Sequence, residues 1–405
     1  MDTYRALMAD GQFRSLWLST ALTTAATTMS SLALAALVHR ETGSALLTAL
    51  AMFGPSLVQV LGASTLMSAA DGSPPRRVLI LVGLVTTATA GLQAALPLGP
   101  GGRLLLVFGA AYALSIGSGV RWGLLTEIVP PGGFTLARSA MNLAVGAFQI
   151  IGYATSGLLL TTLSTQQIFV LATVVSAVAV PVLRLGVAEH RPRRATRVGP
   201  AETWRGNRRL LAQRVTRPLL LALIVPNGLV VGCEALFVPY AGGSGGILLA
   251  AAAAGMMAGD LTVGRLLDAR GRRRAGTFLR LLLAAPFLAF ALHPSVPVAA
   301  GLAAVAAIGY GAGLAQQEQL VALVPVPLQG QTLGVESSAR MTMQGVCAAL
   351  AGALADRTGP ALAVTILAGA SLAVSVALTP ALTRAAEVCT SPAPRSGAGP
   401  GQGRR

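Results

Sequence analysis

Gly264-Arg-Leu-Leu-Asp268-Ala-Arg-Gly271-Arg-Arg-Arg274 stands between two apolar runs, at about 246–267 and 275–292. Each run approaches the roughly 20 residues that a helix rising about 1.5 Å per residue needs to cross a bilayer core. A short loop holding Asp268, Arg270, Arg272, Arg273 and Arg274 between two such runs belongs in water. Its positive excess assigns it to the cytoplasmic side. Gly264 is expected to let a neighbouring helix come close, and Gly271 to permit a sharp turn.

Composition points the same way. Of 405 residues, 54% are hydrophobic and only 11% charged, against about 25% charged in soluble domains, and the mean hydropathy is +0.68. All 30 basic residues are arginine, which we read as a coding bias rather than chemistry. A formal charge of +16 could signal nucleic acid. The arginines, however, are confined to loops between apolar spans with no aromatic-interleaved basic face, so no nucleic-acid partner is expected. Cys233, Cys347 and Cys389 are odd in number and two lie inside apolar spans, which argues against a disulfide framework or a metal site.

Twelve apolar spans can be laid out, approximately at 14–38, 44–70, 78–97, 104–126, 137–162, 167–186, 218–240, 246–267, 275–292, 297–323, 331–354 and 360–382. With both termini inside, only Arg40, Arg103 and Arg357 fall on the outer side, and this asymmetry requires an even number of crossings. The expected organisation is a six-helix bundle over 1–186, a basic cytoplasmic linker over 187–217, a second six-helix bundle over 218–382 and a disordered cytoplasmic tail over 383–405. Six spans, a basic linker and six more spans is the layout of transporters built from paired halves. The halves echo each other, since Asp71-Gly-Ser-Pro-Pro-Arg76-Arg77 lies between spans 2 and 3 where the second half carries Asp268 to Arg274.

The 264–274 stretch resembles the loop signature of the major facilitator superfamily, G-x-x-x-D-[RK]-x-G-[RK]-[RK], through Gly264, Asp268, Gly271, Arg272 and Arg273, with Ala269 where a basic residue is usual. In the first copy Met67 replaces the expected glycine and Gly72 the expected base, which reverses the usual pattern of a better-kept first copy. The first half is similar to the branch that includes drug-efflux and siderophore-export proteins. That similarity runs through Phe13-Arg-Ser-Leu-Trp17, Leu37-Val-His-Arg-Glu-Thr-Gly-Ser-Ala-Leu46, Arg121-Trp-Gly-Leu-Leu-Thr-Glu127-Ile-Val-Pro130 and Ala137-Arg138-Ser-Ala-Met-Asn142. The resemblance implies the twelve-helix, two-bundle all-α fold of that superfamily. It also implies an inner-gate charge network at the cytoplasmic helix ends that includes Arg121, Glu127 and Arg138. Plain snorkelling of end-of-helix charges explains these three equally well. Glu336 and Arg340 are expected to join the gate, with Arg340 paired to either Glu336 or Asp268. Gly152-Tyr-Ala-Thr-Ser156-Gly157 half-matches the antiporter signature G-P-x-x-G-G, and small residues at this spacing also permit tight helix packing.

Acidic residues inside spans carry the sharper chemistry. An ionised carboxylate at a helix centre costs about 2.5–3.5 kcal/mol on insertion scales, so it is paired, protonated or facing a cavity. Glu234 in span 7 and Asp260 in span 8 are the candidates for proton coupling. A polar outer rim for Glu234, and an arginine partner for Asp260, are the structural alternatives. Thr20, Thr24, Thr27 and Ser31 recur on one helix face and could line a cavity or bond back to their own helix. No phosphate-cradling G-x-x-x-x-G-K-[ST] occurs, so ATP is not the expected energy source, and no nucleophile–base grouping marks an enzyme.

The reading is a secondary active transporter of the cell membrane with both termini cytoplasmic. It is expected to be monomeric and without a cofactor, and to draw on the proton gradient to export a small amphipathic or apolar molecule by alternating access. Few charges inside the spans and many Ala, Gly, Leu and Thr positions suggest a mostly apolar or neutral cargo; an organic-anion carrier would want arginines at the midplane of a span, and none is expected there. An uptake permease for a neutral metabolite, or a transport-inactive membrane sensor or scaffold, are the alternatives.

Overall fold

The computed structural model describes residues 4–70, 74–115, 117–130, 133–190, 216–324 and 326–390. Asp71, most of the linker (191–215) and the end of the tail (391–405) lie outside the described residues, as does the Arg273 side chain.

Among the described residues, twelve helical arms follow a short helix, Tyr4–Ala9. They are α1 (Gly11–Thr42), α2 (Ala45–Ala70), α3 (Pro75–Ala95), α4 (100–128), α5 (Phe134–Leu159), α6 (Thr165–Gly186), α7 (216–241), α8 (245–266), α9 (269–292), α10 (296–322), α11 (Val326–Thr358) and α12 (Pro360–Thr390). Nine stretches among the described residues are long and apolar enough to cross a membrane, and one of them, Thr216–Leu266, folds back on itself as α7 and α8. The other two arms fall short for local reasons. In α4 the described helical pieces, Pro100–Leu114 and Gly117–Ile128, are each short, and α11 is diluted by Gln, Ser, Glu336 and Arg340. Proline interrupts α2, α6, α7 and α12 at Pro55, Pro181, Pro226 and Pro380. Membrane helices tolerate this because neighbouring helices and hydroxyl side chains satisfy the freed carbonyls.

Successive arms run up and down. We call the end that holds Asp10, Glu189 and Asp268 basal, and the end that holds Thr42, Ser164 and Asp356 distal. Asp10 N-caps α1 by accepting from the Phe13 amide at 2.8 Å, and Gly43 ends it with φ +66°, where an L side chain would be strained. At the basal end of the first bundle the Ala188 amide donates to Gln12 Oε1 at 3.0 Å. At its distal end Arg40 Nη2 donates to Thr165 Oγ1 at 3.0 Å.

Two bundles with matching internal contacts make up the molecule. Within the first, α1 lies against α5 and α6, α2 against α4, and α3 against α6; within the second, α7 lies against α11 and α12, α8 against α10, and α9 against α12. Adding six to each number of the first set gives the second, which is the signature of pseudo-two-fold repeats. The seam between bundles is formed by two equivalent pairs, α2 with α11 and α5 with α8. Large apolar side chains such as Leu105, Leu158, Leu185 and Leu292 are exposed on the protein surface, as lipid-facing positions should be.

The loop that began the sequence reading takes a different local form from the one expected. Leu267 is extended and Asp268 N-caps α9, its Oδ1 accepting from the Gly271 amide at 2.7 Å. Gly271 lies inside the first turn of α9, so the turn does not depend on it. A Cβ there would instead lie 2.9 Å from Asp268 Oδ1 and crowd the cap. Gly264 meets no close neighbour: a Cβ would find only Leu314 Cδ1 at 3.9 Å. It therefore does not serve a close helix approach.

Candidate transport pathway

The hydroxyl face of α1 borders open space inside the first bundle. Thr24 and Thr27 line a cavity of about 310 Å³ together with Gln59, Thr86 and Arg121, and α11 of the other bundle adds Ser337, Ser338 and Met341 to its wall. Thr27 and Ser31 border a second cavity of about 250 Å³. Its wall also holds Leu34, Met52, Val107 and Phe169, and it shares Thr27, Gln59, Thr86 and Leu114 with the first. Thr20 lies below, in a small pocket that Arg121 also touches. The two readings of this face hold together, because the hydroxyls also bond back to the helix. Thr24 donates to Thr20 O at 2.8 Å, Thr27 to Thr23 O at 2.9 Å and Ser31 to Thr28 O at 3.0 Å.

The expected inner-gate network does not assemble as one unit. Among the described residues Arg121 makes no hydrogen bond or ion pair, and it lines the cavity rather than the helix end. Glu127 is met by His190 Nδ1 at 3.2 Å. Arg138 lies over the Trp122 ring, 5.4 Å from its centroid. Arg121 was read as a charge at the end of span 4. Its own helical piece begins only four residues earlier, at Gly117, and its side chain borders the cavity. In the second bundle Arg340 Nε donates to Glu336 Oε1 at 2.9 Å, and Gln317 donates to Oε2 at 3.1 Å, so the buried Glu336 rather than Asp268 is the partner of Arg340. Arg272 forms a two-bond pair with Glu318 at 2.9 and 3.2 Å. Arg76 and Arg77 reach Glu189 at 4.0 and 3.0 Å, which ties the start of α3 to the segment after α6.

The expectation that no arginine lies deep in a span also needs correction. Besides Arg121, Arg280 is buried within α9, donating to Thr277 and to Thr379 of α12 at 3.2 and 3.3 Å. Span 9 was begun at 275, whereas α9 starts at Ala269, so Arg280 sits about three turns in rather than near its end.

Glu234 is not on a polar rim. It is buried near the end of the first piece of α7, and its one hydrogen bond among the described residues comes from the Tyr310 hydroxyl of α10, which donates to Oε1 at 3.1 Å. Sequence gave no signal for Tyr310. Its neighbours Cys233 and Leu236 share a buried cluster with Tyr153 and Leu32 of the first bundle, so the cluster crosses the seam. Among the described residues Asp260 has no hydrogen bond or ion pair, so the arginine partner considered for it is not found there, and its side chain is exposed. It follows Met257 by one turn, and Met257 Sδ lies 4.0 Å from the Cβ position at Gly146 of α5. Neither acid borders the two cavities.

Comparison with known proteins agrees with this geometry. The chain is similar in structure to a POT family transporter in complex with 5-aminolevulinic acid, with 11% identity over 94% of this chain and 96% of that one at a TM-score of 0.72. It is similar to the nucleoside transporter NupG, with 11% identity over 91% and 99% at 0.72. It is also similar to a bacterial homolog of the human lysosomal transporter Spinster in an inward-facing, unoccupied conformation, with 16% identity over 96% and 97% at 0.64. At these identities the likeness shows the fold. No curated protein sequence matches the chain. The family profile described as Major Facilitator Superfamily matches residues 16–335, well over half the length, and the chain therefore belongs to that superfamily of membrane transporters.

Proposed function

We propose that this protein is a proton-coupled exporter of a small amphipathic molecule, working by alternating access as a monomer in the cell membrane with its basal end in the cytoplasm. The arginine asymmetry supports the orientation: Arg40, Arg103 and Arg357 stand at the distal end, and the loops at the basal end carry most of the rest. Export rather than uptake rests on the first-half likeness to efflux proteins. The protein needs no cofactor in this reading.

The observation that carries proton coupling is the setting of Glu234. A buried carboxyl with a single neutral donor and no cation beside it can change its charge only by gaining or losing a proton. Its cluster crosses the seam through Tyr153. Parting of α5 from the second bundle at the distal end therefore opens Glu234 to distal water, and closing seals it again. A change of protonation at this carboxyl favours one of the two arrangements, which is what coupling requires. In this reading Asp260, exposed in the basal half of α8, is the second titrating group and passes the proton to the other side.

The test is movement of fluorescent amphipathic dyes in proteoliposomes under an imposed pH gradient, with wild type beside Glu234→Gln, Tyr310→Phe and Asp260→Asn. Glu234→Gln is expected to abolish gradient-driven accumulation while leaving dye exchange in the absence of a gradient. Tyr310→Phe should lower accumulation less, because the carboxyl remains. Accumulation that persists in both Glu234→Gln and Asp260→Asn, or that ignores collapse of the gradient, would defeat the proposal.

A further inference from the structure

Among the described residues that line the cavity shared by the bundles, Arg121 is charged and no aspartate, glutamate or histidine stands beside it. No described group bonds its guanidinium. A guanidinium carries five N–H donors in a planar fork suited to carboxylate, sulfonate or phosphate oxygens. Arg121 is only half-buried at the cavity wall, so water meets these donors when the site is empty and an anionic group of a cargo can take its place.

The other donors in the cavity narrow what that partner is. Thr23, Thr24, Thr27 and Thr86 have committed their protons to carbonyls of their own helices, at 2.7, 2.8, 2.9 and 2.9 Å. Those hydroxyls offer only lone pairs toward the cavity. The uncommitted donors are Arg121, the Gln59 amide, and the hydroxyls of Ser337 and Ser338 from α11. The adjoining cavity, walled by Leu34, Met52, Val107 and Phe169, carries no charged side chain at all. Joined through Thr27, Gln59, Thr86 and Leu114, the two spaces reach the roughly 300–1,000 Å³ range of sites for small molecules.

We propose that Arg121, with Ser337 and Ser338 across the seam, receives the anionic group of an amphipathic cargo whose apolar body lies in the adjoining cavity. The inference rests on the transport reading above and gives it a substrate class, replacing the mostly neutral cargo expected from sequence. Because the donors come from both bundles, a bound anion ties α4 to α11, and its binding favours the arrangement in which the two are close.

Binding is tested without any gradient, so that its result is independent of proton coupling. A fluorescent aryl sulfonate and a quaternary ammonium dye of similar size are titrated against the purified full-length protein, as wild type, Arg121→Gln, Arg121→Lys and the double change Ser337→Ala with Ser338→Ala. The wild type should hold the sulfonate more tightly than the ammonium dye. Loss of a charge-assisted contact in Arg121→Gln should weaken the sulfonate about ten- to a hundredfold and leave the ammonium dye unchanged or stronger. Arg121→Lys should keep part of the preference, and the serine changes should weaken the sulfonate several-fold. Should Arg121→Gln fail to fold, as judged by its thermal transition, the lysine and serine variants carry the same comparison. Equal binding of the two dyes by wild type, or sulfonate binding indifferent to all these changes, would overturn the proposal. Charge preference with no gradient-driven movement would defeat proton coupling and leave the anion site standing.

Discussion

The two ends of the seam between the bundles are built from different materials. At the distal end the backbones themselves touch. A Cβ on Gly246 of α8 would lie 2.7 Å from Gly157 Cα and 3.0 Å from Tyr153 O of α5. A Cβ on Gly352 of α11 would lie 2.5 Å from Leu46 Cα of α2. Asp356 then clamps the same pair of helices: it accepts from the Ala45 and Leu46 amides at 2.5 and 3.3 Å and from Ser44 Oγ at 2.9 Å, capping the start of α2 from the opposite bundle. Toward the basal end the contacts across the seam are between exposed side chains. Arg265 Nη2 donates to Tyr4 Oη at 2.8 Å with both side chains at the surface, and the cavity opens between Val60, Ser337 and Met341. In lipid there is no hydrophobic force to press helices together, so close backbone approach and hydrogen bonds must hold them. The distal end has both, and the structure is accordingly closed there.

The largest effect that would break this contrast is overpacking at the glycine contact. Gly246→Val places two or more carbons where the α5 backbone stands, and overpacking of a tight contact costs about 1–3 kcal/mol. We expect the distal seam to part. A cysteine placed at Ala49, which is buried against Ala235 and Ala348, should then react markedly faster with a membrane-impermeant maleimide. An unchanged rate would show that the glycines do not limit closure. The next effect comes from Asp356→Ala, which leaves the N–H groups at the start of α2 without their acceptor. Loss of an N-cap costs about 0.5–2 kcal/mol, so labelling at the same position should rise by less than for Gly246→Val. A rise as large as the glycine variant's would move the main closure to the carboxylate.

How much of this was readable beforehand follows from the range of each interaction. Apolar spans and arginine asymmetry are properties of contiguous sequence, and they were enough for the number of arms and their alternation. Asp268 could be placed in a loop, but its role as the cap of α9 depends on a bond to Gly271 that spacing alone does not distinguish from a turn. The pairing of Glu234 with Tyr310 joins residues 76 apart on two arms, and no pattern in either arm announces it. Arg121 was read at a helix end, whereas it lines the cavity, because hydropathy along a span does not say which of its residues face an internal space. The distal clamp was missed as well. Asp356 received no reading from sequence, and its partners lie more than 300 positions away, at Ser44, Ala45 and Leu46.

The smallest expected effect sharpens the contrast from the other side. Tyr4 reaches α8 through Arg265 and α5 through Ser139 Oγ at 3.1 Å, and the Arg265 guanidinium also stands 5.4 Å from the Tyr4 ring centroid. All of these groups face solvent, and exposed contacts of this kind contribute about 0.2–1 kcal/mol. Removing them frees the basal end, which the cavity already holds apart, and adds nothing that pulls the distal end open. Arg265→Ala should therefore leave maleimide labelling at the Ala49 position the same or slightly slower, the reverse of the two distal changes. Tyr4→Phe keeps the ring under the guanidinium and removes only the hydroxyl, so its effect should be smaller still. If either basal change speeds labelling as Asp356→Ala does, the two ends are not opposed across one rocking seam, and the alternating-access reading loses its mechanical basis in this chain.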